Sequence, residues 1–258
     1  QQFRRFLSLS FQPSFSCFFI FSLLKRSDFI MEMSKLQRLT LFTLIVLTLI
    51  YSFFPVYWMI ISSFRDYEAL YAPASLIPGP FSLENYKALL AHTDFPQWFL
   101  NSMLIAGGTV CLTIVISVLI AYSVSRLQFR GKLLIIGTML YAYMFPPMLL
   151  AIPLFSLFVK AGIDDTRSSL MISHLTLTLP LGVWLLWGFF KQVPLDVEEA
   201  AMVDGCSRLQ AFIAVVLPIT LPGIVTVAIF SFLLSWTDYT FALIMVGTDS
   251  LKTLPAGL

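Results

Sequence analysis

Charge is scarce in this sequence. Asp, Glu, Lys and Arg make up 12% of the 258 residues, against roughly 25% in a soluble domain. That shortfall argues against a soluble fold. The net charge of +2 and the lack of a basic tract give no footing for nucleic acid. Cysteine is also rare. Cys17, Cys111 and Cys206 have the spacing of neither a zinc site nor a disulfide framework, and read as small apolar filler. The two histidines, His92 and His174, are too few for a histidine-rich metal centre. They read as a solvated residue and a helix-end residue. A phosphate-cradling Gly-x-x-x-x-Gly-Lys-Ser/Thr is missing as well: Gly131-Lys132 is followed by Leu133 and lacks the upstream glycine. The chain is therefore expected to hydrolyse no ATP and to hold no cofactor or metal.

What is present is apolar surface. Hydrophobic residues make up 58% of the chain, and several runs reach the ~20 residues that cross a bilayer. Five spanning helices are expected, near Leu39–Ile61, Trp98–Val124, Leu133–Val159, Ser168–Phe190 and Pro218–Val246. Orientation follows from Lys and Arg in the short connections. Lys25, Arg26, Lys35 and Arg38 precede the first span, and Arg126, Arg130 and Lys132 crowd the second connection. The segment from Ser62 to Gln97 sets Arg65 and Lys87 against Asp66, Glu68, Glu84 and Asp94. This pattern puts the N-terminus in the cytoplasm. The connection 191–217 is then cytoplasmic by parity, since its own charges do not vote for it. Between the first two spans, Ser82 offers an N-cap for a short surface helix, and Trp98 suits an interfacial aromatic belt.

Both ends read as unnatural. Residues 1–32 contain an apolar stretch, Phe11 to Leu24, of only 14 residues, short of the ~30 Å core. It reads either as upstream translated sequence without a fixed fold or as an interfacial anchor. The chain stops at "KTLPAGL", which reads as a truncation. The expected organisation is an upstream segment 1–32, a first span with its outer segment over 33–97, and a transmembrane domain over 98–258.

The connection 191–217 carries the most local information. Asp196 and Glu199 have capping-box spacing, Gly205 falls where a helix ends in a left-handed residue, and Ser207 and Gln210 repeat the box. Pro218 is expected to stop the second helix and begin the last span. The result is helix, turn, helix, outside the membrane. Local pattern alone leaves two readings, a capped connector or a docking module. Ala200 and Ala201 leave a bare face for a partner's backbone, and a connection of this length tends to carry function.

"EAAMVDGCSRLQAFIAVVLP" resembles the signature loop of the permease subunits of binding-protein-dependent ABC importers. Glu199, Ala200, Ala201, Gly205, Leu217 and Pro218 fall on that pattern, and Val215 stands where isoleucine is usual. "FPVYWMIISSF", "FLNSMLIA", "AYSVSRLQFRGK", "MFPPMLLAIPLF" and "LSWTDYTFALIM" are similar to the carbohydrate, maltose-type branch. The resemblance covers about Leu39 to Leu258. It implies an all-α polytopic bundle of the type-1 ABC importer permease kind, with a sixth span that is not visible here. It also implies a non-catalytic subunit of the cytoplasmic membrane of a bacterium or archaeon. Its partners would be a second permease subunit, an ABC ATPase dimer, an extracytoplasmic substrate-binding protein and membrane lipid. The six loop residues would couple the ATPase to transport.

Within the spans, Pro146, Pro147 and Pro153 are expected to kink the third helix and Pro180 the fourth. These are either static bends or flexible pathway lining. Asp238 should lie about 24 Å up the last helix, where an ionisable group is a functional candidate by default. Trp236 and Tyr239 beside it could stack on a sugar or line a polar cavity. A structural hydrogen bond from Asp238 to a neighbouring helix is the competing reading. Asn101 is a similar candidate, with an interhelical bond as its competitor. The expected function is import of a sugar or sugar derivative. The rivals are another cargo such as glycerol phosphate within the same class, a gradient-driven secondary transporter, and a membrane scaffold.

Overall fold

The computed structural model describes residues 34–65 and 81–258; the expectation for residues 1–32 lies outside them. The described elements are helical, and the chain divides into two compact units, residues 1–91 and 92–258.

In the first unit, α1 spans Lys35–Ser63. Ser34 and Gln37 close a capping box at its start, with the Gln37 N–H donating to Ser34 Oγ at 3.3 Å. Only Ile61 of α1 is buried. Thr40, Thr43 and Thr48 donate their hydroxyls to the carbonyls four residues back, at 3.0, 2.9 and 2.8 Å. Polar groups satisfied inside the helix and apolar side chains turned outward are what a hydrocarbon solvent requires. A short helix, α2 (Glu84–His92), follows. Ser82 Oγ accepts the Glu84 N–H at 3.2 Å, and Asn85 donates to the carbonyls of Ser63 and Arg65.

The second unit is a bundle around α3 (Phe95–Arg126), which at 32 residues is about 48 Å long. It packs with α6 (Arg167–Gln192) and α9 (Leu221–Trp236). Two apolar clusters form the core. One gathers Val118, Val124, Leu186, Phe190, Phe212 and Val216; the other gathers Ile105, Ala151, Leu170, Phe241 and Met245. Between them runs a seam of buried hydroxyls, including a 2.7 Å bond joining Thr113 to Thr178. Gly182 permits the close approach: a Cβ there would stand 2.7 Å from Ser117 Oγ.

Two expected spans are broken. The third is α4 (Lys132–Tyr143) and α5 (Pro147–Ala161), meeting at 100°. Pro146 and Pro147 break the helix rather than kink it. Pro146 is held extended (ψ 125°) by the proline after it, and Pro147 becomes the first residue of α5. Pro153 and Pro180 stay inside helices as expected. The last span, expected to run unbroken to Val246, ends at Trp236; α10 (Thr240–Met245) follows a three-residue break. A turn at Asp249–Leu251 and α11 (Leu254–Gly257) complete the far end. Among the described residues, three helices are long and apolar enough to cross a membrane unaided, and five spans result if each bent pair is one.

Candidate functional site

At the end of α3 that carries Arg126, the chain between α6 and α9 folds into two short helices. The first, α7, spans Leu195–Val203. Asp196 and Glu199 do not form the expected box. Pro194 takes the N-cap position at ψ 141°, which starts the helix two residues early and moves Asp196 into the first turn without a cap bond. Gly205 adopts φ +97°. Its N–H donates to the Met202 carbonyl at 3.1 Å and the Cys206 N–H to that of Ala201 at 3.0 Å, a Schellman closure. A Cβ at Gly205 would meet nothing within 4 Å, so dihedral angle alone makes glycine the fitting residue.

The second helix, α8 (Arg208–Ile219), starts with the expected box: Gln210 N–H to Ser207 Oγ at 3.4 Å and Ser207 N–H to Gln210 Oε1 at 2.8 Å. Pro218 does not end it. A π turn over Phe212–Val216 widens the helix just before the proline and takes up its missing donor. The chain bends by 71° at Thr220 instead. Glu199 and Ala200 are exposed, Ala201 is half-buried, and Val203 is 87% exposed. Leu217 is half-buried and Pro218 exposed.

The neighbouring acid behaves oppositely. Glu198 is 4% exposed. Its Oε1 accepts the Tyr122 hydroxyl, and its Oε2 stands 2.9 Å from Arg126 Nε, an ion pair whose N–H points off the hydrogen-bond line. Arg126 Nη2 donates to the Val193 carbonyl at 3.1 Å. The Tyr122 ring lies 4.3 Å from that of Phe212 and 5.9 Å from that of Phe190, centroid to centroid. The sequence reading missed this cluster. It fixed on Glu199 as the patterned acid and counted Arg126 as a loop charge, whereas Arg126 is the last residue of α3 and buried in an ion pair. The available signal was "EE" on a helix: adjacent residues sit about 100° apart, so the pair cannot share one face.

The opposite end holds the four residues expected along a pathway. Asp238 lies in the break after α9. Its Oδ2 accepts the N–H groups of Phe241 and Ala242 at 3.0 and 3.2 Å, capping α10, and stands 3.3 Å from His174 Nε2. His174 is not at a helix end; it lies inside α6, buried, with Nδ1 2.7 Å from Ser235 Oγ. Asn101 is buried and donates to the carbonyls of Ser250 and Lys252, both at 2.9 Å, while Arg167 Nε donates to its Oδ1. Trp236 stacks on Phe232 and meets Phe99 edge-on. Tyr239 is 51% exposed. Trp98 donates its indole N–H to the Asp249 carbonyl. Asp165, at φ +51°, accepts the N–H groups of Gly247 and Thr248 and the Thr248 hydroxyl. These bonds hold its carboxyl below the usual carboxylate range, the Thr248 hydroxyl contributing most. Among the described residues, no His, Cys, Asp and Glu are grouped to hold a metal ion.

A broken-helix membrane bundle with an exposed two-helix module defines a polytopic membrane component. Residues 113–256 match the sequence model of the binding-protein-dependent transport system inner membrane component, and the chain belongs to that family. It is 35% identical over 226 residues to the inner membrane ABC transporter permease protein YcjP of Escherichia coli, covering 86% of this chain and 81% of that one. It is 34% identical over 230 residues to the trehalose/maltose transport system permease protein MalG of Thermococcus litoralis, covering 88% and 82%. In fold it resembles the crystal structure of a bacterial ABC transporter involved in the import of alginate, with a TM-score of 0.74, 19% identity, and coverage of 86% of this chain and 79% of that chain.

Proposed function

We propose that this chain is a permease subunit of an ATP-driven importer and carries a sugar or sugar derivative across the cytoplasmic membrane. Family membership and the carbohydrate systems among its relatives support the class and the cargo. The chain carries no phosphate-cradling loop, so hydrolysis falls to a separate ATPase pair. A second permease completes the path, and an extracytoplasmic binding protein delivers the solute. The N-terminus and the connection 191–217 face the cytoplasm in this reading.

The observation that carries the proposal is the module itself: two capped helices locked by a left-handed glycine, presenting Glu199 and Ala200 outward. Such a body passes on a push that a flexible loop would absorb. Glu199, Ala200, Ala201, Gly205, Leu217 and Pro218 are its coupling residues. At the other end the path passes the break at Thr237–Tyr239, where Tyr239 is exposed and Trp236 half-buried. Asp238 and Asn101 shape it from behind by holding the break and the 249–252 turn.

The test is uptake by the full complex in proteoliposomes. The wild type is expected to take up an oligosaccharide only with ATP inside and the binding protein outside, and vanadate is expected to stop it. Glu199→Lys and Gly205→Asp should assemble and lose uptake. Wild-type uptake driven by an ion gradient without ATP, or full uptake with normal coupled hydrolysis in both variants, contradicts the reading.

A further inference from the structure

The last two turns of α3 touch the two-helix module at three separate places. Arg126 reaches the Val193 carbonyl, at the entry to α7. Arg126 and Tyr122 together hold Glu198, in the middle of α7. The Tyr122 ring packs on Phe212 at the π turn of α8. Tyr122 and Arg126 are four residues apart, so they share one helical face. Contacts at the entry to α7, in its middle and on α8 involve both helices of the module and so restrain its orientation on α3. The module is thus fastened to α3 and cannot swivel independently of its end.

The chemistry of the fastening matters. A buried ion pair contributes little net stability compared with apolar residues of the same volume, yet it is directional. The Arg126 guanidinium offers a planar fork that serves a carboxylate and a carbonyl at once. Packing alone would let α7 slide or roll against α3; this arrangement does not. Glu198 and Glu199, about 100° apart on α7, divide two tasks: one acid faces outward and the other faces α3.

We propose that Tyr122, Arg126 and Glu198 are positioning residues that form the joint through which movement of the two-helix module is passed to the long helix α3. The proposal rests on the transport reading above, because it assigns these residues a part in coupling hydrolysis to transport. They touch no solute and no nucleotide. Their removal leaves docking and hydrolysis in place and lets the module move without carrying α3 along.

The experiment measures solute imported per ATP hydrolysed, in proteoliposomes containing the complete complex. Glu198→Gln keeps shape and removes charge. Tyr122→Phe removes one oxygen and keeps the ring on Phe212. Both complexes are expected to assemble at the wild-type level and to hydrolyse ATP in response to the loaded binding protein. Solute imported per ATP should fall roughly two- to thirty-fold, the range expected when coupling is weakened at a single contact. The two changes strike different contacts of one cluster, the Arg126 charge pair in Glu198→Gln and the hydroxyl bond in Tyr122→Phe, so the double variant should fall by less than the product of the two single effects. An unchanged ratio in assembled complexes overturns the joint, and so does a parallel loss of uptake and hydrolysis. If Glu198→Gln fails to assemble, Tyr122→Phe alone decides. A wild-type complex without ATP-driven uptake removes the transport reading itself, which is distinguishable from uncoupling in the variants only.

Discussion

Single residues at the far end tie segments distant in sequence together through polar groups. The carboxylate of Asp165 is committed to Gly247 and Thr248, on a half-buried residue. Because its folded value is lowered, its contribution is fully present above the unfolded pKa, ~3.9. That contribution is lost as pH falls through the folded value. Amide exchange at Gly247 and Thr248, corrected for intrinsic rate, should therefore stay protected at neutral pH and rise only below about pH 4. Asp165→Asn tolerates the left-handed backbone and should show partial protection that no longer varies with pH. Protection in that variant equal to wild type at neutral pH and lost at the same low pH would contradict the role given to the carboxylate. A one-dimensional reading offers no hint of this bond, since Asp165 and Thr248 are 83 positions apart.

At the scale of elements, the breaks matter more than the helices. The prolines announced bends in the third span, and the sequence reading placed them correctly. Their severity depends on two consecutive prolines removing two donors and forcing an extended residue between the halves. The break at Thr237–Tyr239 had no such signal. Nothing between Trp236 and Thr240 forbids helix, and the segment was read as continuous. Asp238 decides it by capping a new helix and approaching His174 on α6. Asp238→Ala should cost about 1 kcal/mol, the usual loss when a side-chain oxygen that accepts a helix's first N–H groups is removed. Hydrogen exchange at Phe241 and Ala242 should accelerate while α9 stays protected. Unchanged exchange at those two amides would place the stability of α10 in packing alone.

For the molecule as a whole, the distribution of apolar surface identifies the solvent. Leu47, Ile50, Tyr51 and Met59 of α1 lie exposed on a helix of mean hydropathy 2.2, an arrangement suited to hydrocarbon and costly in water. The two ends of the bundle carry the accessible polar features, the module at one and the 247–257 segment at the other. On a background without Cys17, Cys111 and Cys206, Val203→Cys should react with a membrane-impermeant thiol reagent only in inside-out vesicles. Asp249→Cys should react only in right-side-out vesicles. The reverse pattern would invert the orientation read from Lys and Arg.

The sequence by itself determined the class: apolar runs at the length of a bilayer, few charges, and a fixed spacing from Glu199 to Pro218 between two spans. These are local properties, set by helix period, caps and the backbone freedom of Gly205, and they survive without knowledge of any contact. Only the tertiary structure decided which acid of Glu198 and Glu199 is buried, that Arg126 is a partner rather than a loop charge, and that His174 and Asp238 meet. Each depends on helices far apart in sequence packing closely enough to exclude water. Under that condition a polar group must find a partner from another helix, and no pattern along one strand of letters says which.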